Sequence, residues 1–162
     1  MKKKKAVSWL NSEFQNLDLV DLLGERHFLL RSLTERLWND SHEIYISNSE
    51  WFIMARIYKK QPTIAYVSKY VDISRQATHK FIKSLESKGL VEIKNAENNR
   101  KEKCLSLTKL GEECYEKNEA LKATLEEKIA DKIGSENISL LKEILKMDWG
   151  LSRDYYNNTE NK

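Results

Sequence analysis

The sequence predicts a mainly α protein: a winged helix-turn-helix lobe with a small β-hairpin wing, and long N- and C-terminal helices forming a dimerisation bundle. Three observations predict it. Residues 63–88 carry two short apolar-periodic segments joined by a tight turn, which is helix-turn-helix spacing. A glycine and two short alternating segments come next, which is hairpin spacing. The rest of the chain is long helical pattern with no strand to bury it.

Taken in order, the segment from Phe14 to about Asn39 carries Leu19, Leu22, Leu23, Leu30, Leu33 and Leu37 over more than one helical stripe, so this helix must be covered on several sides. A loop is expected over Asp40 to Ile46. Ser47 and Glu50 then have capping-box spacing and open a helix to about Lys60, packed by Trp51, Ile53, Met54 and Ile57. Gln61-Pro62-Thr63 ends it at the chain's single proline. Ile64, Val67 and Val71 give the next helix one apolar face, and Asp72-Ile73-Ser74 makes the turn, with Ser74 placed to cap the second helix of the pair.

That second helix is anchored by Ala77, Phe81 and Leu85, while Gln76, His79, Lys80 and Lys83 fall at i, i+3, i+4 and i+7 on the opposite face. Donors and cations on one exposed stripe suit a DNA major groove. Gly89 is placed for the left-handed position past the helix end. Leu90 to Ile93 begins a strand, Asn95 to Arg100 is a polar tip, and Cys104 to Leu107 returns.

At these residues the chain resembles the MarR (multiple antibiotic resistance regulator) family. That family follows its recognition helix with "LEEKGLV", a wing with "DRR", and then "LT" and a Lys-Gly pair opening a long helix. The corresponding residues are Leu85-Glu86-Ser87-Lys88-Gly89-Leu90-Val91, Asn99-Arg100-Lys101 and Leu107-Thr108-Lys109-Leu110-Gly111. Asn99 stands where the family usually has aspartate. The resemblance is strongest over Thr63 to Gly111 and rests on helix pattern alone elsewhere.

From Thr108 to about Ile133 a long helix has Leu110, Cys114, Leu121, Leu125 and Ile129 on its inner face. Gly134-Ser135 interrupts it, and a last helix carries Ile138, Leu141, Ile144, Leu145 and Leu151. A winged-helix lobe of about 60 residues cannot cover both terminal helices, so a second copy of the chain is the natural partner. One domain is expected over 1–162, with dimerisation helices over 1–46 and 109–162 and the DNA-binding lobe over 47–108.

Composition agrees. The 162 residues are 40% hydrophobic and 33% charged, as in a helix-rich globular protein. The net charge of +3 hides an asymmetry: Lys59 to Lys103 holds 11 Lys and Arg against 5 Asp and Glu, while the remainder beyond the four N-terminal lysines is acidic. A basic lobe on an acidic body is the footprint of a duplex binder, since phosphate neutralisation supplies most sequence-independent affinity. Lysines that merely solvate helix faces are the competing reading of charge alone. Lys2 to Lys5 read as a solvated tail in preference to a DNA-reaching arm, and Asn11, Ser12 and Glu13 interrupt any signal-like apolar run, so a cytoplasmic location is expected without membrane association.

Enzyme readings find no support, since the sequence has no phosphate-binding glycine loop, no HExxH and no nucleophile elbow. No cofactor or metal is expected. His27 falls on the Val20, Leu23, Leu30 face and reads as a core or interface histidine, and His42 has no ligand spacing around it. Cys104 and Cys114 read as buried small side chains in preference to redox sensors.

On a two-fold dimer, Arg75, Gln76 and His79 are expected at base edges, with Lys80 and Lys83 nearer phosphates and the operator a short inverted repeat. The resemblance implies that Arg100 enters the minor groove, with Lys101 and Lys103 on backbone phosphates. It also implies a homodimeric regulator of double-stranded DNA, most simply a repressor relieved by a small-molecule effector. The family's effector crevice lies near the meeting of the first and second helices, where Trp38, Trp51 and Tyr66 are candidate liners in competition with a core role. The alternative is a winged-helix protein-interaction module without operator binding.

Overall fold

The structure, a computed structural model, describes residues 14–71, 73–96 and 99–151, with the backbone alone at 99–101. The elements are α1 (Leu19–Ser41), α2 (Asn48–Ile57), α3 (Ile64–Tyr70), α4 (Arg75–Ser87), β1 (Val91–Ala96), β2 (Asn99–Leu107), α5 (Lys109–Ile133) and α6 (Ser135–Lys146). Among the described residues, helices carry nearly everything and the sheet is a single antiparallel hairpin, as the predicted mainly α fold with a β-hairpin wing requires. Packing divides the chain into two units, Met1–Leu121 and Lys122–Lys162.

Helix starts reflect local chemistry. α1 begins at Leu19 rather than near Phe14, because the Asp18 carboxylate accepts from the Asp21 amide at 2.9 Å and fixes the first turn there. α2 has the predicted capping box, Ser47 accepting from the Glu50 amide while Glu50 accepts from the Ser47 amide. Thr63 caps α3 through the Tyr66 amide at 3.1 Å, and Ser74 caps α4 through the Ala77 amide at 3.2 Å. Each such cap is worth about 1 kcal/mol. At the end of α2, Lys59 takes φ 53°, a left-handed position that would suit glycine better.

The core of the first unit gathers Trp38 from α1, Ile46 from the loop, Ile53, Met54 and Ile57 from α2, and Val67 from α3. Ile82 and Leu85 from α4, Leu90 and Val91 at the base of the wing, and Leu105 from β2 complete it. On α4 the buried side chains are Thr78, Ile82 and Leu85, with Ala77 and Phe81 only partly buried. The core face is thus centred one residue further along than the Ala77, Phe81, Leu85 reading. On α5, Cys114 is buried but Leu110 is exposed, a departure from the predicted inner face. Gly111 is what lies against the lobe there, so the face in contact turns away from Leu110.

The wing pairs Val91 with Leu107, Ile93 with Leu105 and Asn95 with Lys103, and an irregularity between Asn95 and Ala96 brings Ala96 opposite Asn99. The returning strand therefore starts at Asn99, well before Cys104. The hairpin is tied to the approach of α3: the Leu105 amide donates to the Pro62 carbonyl at 2.9 Å, and Thr63 bridges Cys104. Pro62 thus ends one helix and offers its carbonyl to the wing.

In the second unit, α6 carries Leu140, Leu141, Ile144 and Leu145 on the surface, and the Trp149 indole donates to the Ile144 carbonyl at 2.9 Å. No helix among the described residues is long and apolar enough to cross a membrane.

Candidate nucleic-acid interface

α4 is held on one side and open on the other. Its inner face is sealed by Thr78, Ile82 and Leu85, and the Thr78 hydroxyl donates back to the Ser74 carbonyl at 3.0 Å. With that face fixed, Arg75, Gln76, His79, Lys80 and Lys83 are all exposed along the opposite face. The expected stripe of Gln76, His79, Lys80 and Lys83 is therefore exposed as a unit, and Arg75 joins it at the helix N-terminus. None of the five is buried in the core that holds the helix.

The C-terminal half of α4 is fixed by a buried carboxylate. Glu50 of α2, only 2% exposed, accepts from the Ser84 hydroxyl at 2.8 Å and from the Lys88 ammonium at 2.6 Å through one oxygen. Through the other it accepts from the Ser47 amide at 2.8 Å and the Ser47 hydroxyl at 3.0 Å. Burial by itself would raise this carboxyl; the Lys88 ammonium, the Ser47 amide and the two hydroxyls outweigh it and hold it below the ordinary value. The cap was expected from the sequence, whereas the junction was missed. Ser84 and Lys88, four apart and flanking the cationic stripe, were the available signal.

The wing base is equally determined. Gly89 adopts φ 71°, as its predicted position requires, and turns the chain from α4 into Leu90. Thr108 closes the far end: its amide donates to the Leu90 carbonyl at 3.0 Å, its hydroxyl donates to the Gly89 carbonyl at 2.6 Å, and it accepts from the Gly111 amide at 3.0 Å. One threonine therefore joins the end of α4, the foot of the wing and the start of α5.

On the hairpin, Lys103 is exposed and its ammonium donates to the Asn95 side chain across the strands at 2.6 Å. Arg100 and Lys101 have strand backbone in β2, but their side chains lie outside the described residues, as does that of Asn99. Lys2 to Lys5, Asp72, and Glu97 and Asn98 at the wing tip also lie outside them.

The candidate effector liners separate. Trp38 and Trp51 are core, meeting edge to face with centroids 5.0 Å apart, and the Trp38 indole donates to the Ile44 carbonyl at 2.8 Å. Tyr66 is half exposed and lies against Tyr70. His42 stacks on Trp38 at 3.7 Å, and His27 is exposed, so the core half of its reading does not apply. Cys114 is buried, which pushes its thiol up and away from reactivity, while Cys104 is half-buried in β2.

A winged helix DNA-binding domain model matches residues 46–111, spanning α2 through the start of α5. Over most of its length the chain superposes on solved regulators. Wild-type MarR from E. coli in its apo form gives a TM-score of 0.69 at 17% identity, covering 80% of this chain and 96% of that one.

The chain has the MarR-type winged-helix fold.

The Streptococcus pneumoniae FabT structure in complex with DNA gives 0.67 at 23% identity, covering 88% and 96%. NadR in complex with 4-hydroxyphenylacetate gives 0.62 at 22% identity, covering 80% and 93%. No curated protein matches the chain in sequence. The MarR-type fold extends through the long helices on either side of the matched domain, since those structures cover at least four fifths of the chain.

Proposed function

We propose that the protein is a MarR-family transcriptional regulator, a homodimer that reads an inverted-repeat operator in double-stranded DNA. The observation that carries this reading is the stripe on α4: Arg75, Gln76, His79, Lys80 and Lys83 are exposed together, opposite a buried face that leaves the helix one orientation. In the major groove, Gln76 is suited to pair with adenine and Arg75 with guanine, with His79 beside them and Lys80 and Lys83 on phosphates. Lys103 on the wing, with Arg100 and Lys101 of the same strand, supplies further positive charge for the adjacent backbone and minor groove. The FabT structure carries DNA on the same fold, which supports this use of it.

A second copy supplies the symmetry. Leu19, Val20, Phe28, Leu29 and Leu30 on α1 and Leu140, Leu141, Ile144 and Leu145 on α6 are all exposed in the single chain, more apolar surface than a monomer leaves to water. Pairing these helices between copies buries it and sets two recognition helices about one DNA turn, or about 34 Å, apart. Repression relieved by a small-molecule effector is the simplest regulation, and NadR with 4-hydroxyphenylacetate is a ligand-bound example of the fold. A cytoplasmic location follows from a DNA partner.

The test is selection of duplexes from a random pool, followed by gel shifts with genomic fragments. A recovered inverted repeat bound by one dimer supports the reading. Failure to bind any duplex in a folded dimer overturns it and leaves the protein-interaction module.

A further inference from the structure

The α2–α4 junction does more than close the core. Glu50 is a carboxylate with about four acceptor sites, and four donors fill them: the Ser47 amide and hydroxyl on one oxygen, the Ser84 hydroxyl and Lys88 ammonium on the other. Two of these donors belong to the start of its own helix and two to α4 and its C-cap. The same carboxylate therefore fixes where α2 begins and where the recognition helix sits against it. Lys88 is also held from its other side, its ammonium lying 5.6 Å from the centre of the Tyr45 ring. Tyr45 in turn donates to Glu35 of α1 at 2.8 Å, and Glu35 accepts from the Asn48 amide at 3.1 Å through its second oxygen. A line of polar contacts thus runs from α1 through the start of α2 to the last turns of α4.

We propose that Glu50 is a positioning residue for sequence recognition: it touches no DNA, but sets the seat of α4 from which Arg75, Gln76 and His79 address base edges. This rests on the DNA-reading function proposed above. An apolar residue at position 50 would hold α4 through contacts that tolerate sliding, whereas a carboxylate saturated by directed bonds tolerates little. Base readout depends on placing bidentate donors to within tenths of an ångström, while phosphate contacts by flexible lysines do not. The junction should therefore govern specificity more than general affinity.

The experiment compares wild type with Glu50→Gln and Ser84→Ala. The probes are the duplex enriched from random sequence by the wild-type chain and a random duplex of equal length. Glu50→Gln keeps the shape but presents a donor to two donors; Ser84→Ala removes one bond of four and leaves the ion pair. Expected is a loss of about tenfold for Glu50→Gln and about threefold for Ser84→Ala on the enriched duplex, with the random duplex within about twofold. Hydrogen exchange without DNA should show amides of residues 82–88 opening at least about tenfold faster in Glu50→Gln relative to those of α2. Equal losses on both duplexes in either variant mean a merely structural role and overturn the proposal, as does unchanged exchange in α4. If wild type enriches no duplex, the DNA-reading function fails by itself, and the exchange measurement still decides whether Glu50 seats α4.

Discussion

Gly111 has no room for a side chain. A Cβ built there would lie 2.0 Å from the Leu90 carbonyl oxygen and 3.0 Å from its carbon, and both are backbone atoms already fixed by the Thr108 amide. Gly111→Ala must therefore push α5 off the wing base, and we expect a loss of about 3 kcal/mol or more in denaturant unfolding. A variant as stable as wild type would mean that α5 and Leu90 do not approach so closely. Lys59 gives the opposite expectation. At φ 53° it bears the strain that glycine avoids, so Lys59→Gly should raise stability by about 1 kcal/mol. The Glu50 carboxyl adds a pH dependence whose sign is set by its lowered folded value. Its contribution is fully present above the ordinary value of 4.5 and disappears as pH falls through the lower folded value. The stability gap between wild type and Glu50→Gln, about 2–3 kcal/mol at neutral pH, should therefore stay constant above pH 4.5 and narrow only below it. A gap that narrowed between pH 7 and 5 would assign the effect to another group.

At the scale of elements, the proposed reading of DNA by α4 separates residues that would read from residues that would hold. Gln76 lies in the first turn of α4 and Lys83 two turns later, both exposed on one face. Gln76→Ala should cost about 1–3 kcal/mol on the preferred duplex and almost nothing on random DNA, whereas Lys83→Ala should weaken both and lower the salt slope by about one unit. Equal weakening of all sequences by Gln76→Ala would mean that α4 enters DNA by another edge. Much of this helix was legible in the sequence. Its cap at Ser74, its end before Gly89 and its outward stripe all come from local chemistry, as do the capping box of α2 and the break at Pro62. The centre of the buried face was beyond the reach of pattern alone. Ala77, Phe81 and Leu85 and the observed Thr78, Ile82 and Leu85 differ by one residue along the helix, and Thr78 hides its polarity by bonding its own Ser74 carbonyl. The buried partnership of Glu50 with Ser84 and Lys88 was hardly more legible, because it spans 34 and 38 residues of sequence and local spacing only hints at one side of it. α5 shows the same limit at Leu110, where the close approach of Gly111 decides which side of the helix meets the lobe.

For the whole molecule, the unsolved physical problem of the single chain is its apolar surface. Val20 is 76% exposed and Phe28 67% on α1, and Leu140 is 58% exposed on α6. Burying side chains of this size yields about 1.5–3 kcal/mol each, so a handful on each helix offsets the cost of bringing two chains together. On the proposed homodimer, pairing would be part of folding, and stability should depend on protein concentration. Deleting residues 134–162 removes α6 and its share of that surface while leaving the described elements of the lobe covalently intact. The expected product is an aggregated or unfolded chain, because the apolar side chains of α1 remain without the partners that the second copy brought. Light scattering and circular dichroism of the truncated chain decide the matter, with the full-length protein expected at twice its chain mass. A truncation that stays folded and monomeric would overturn the shared helical bundle, since α1 would then be stable in water without a second copy.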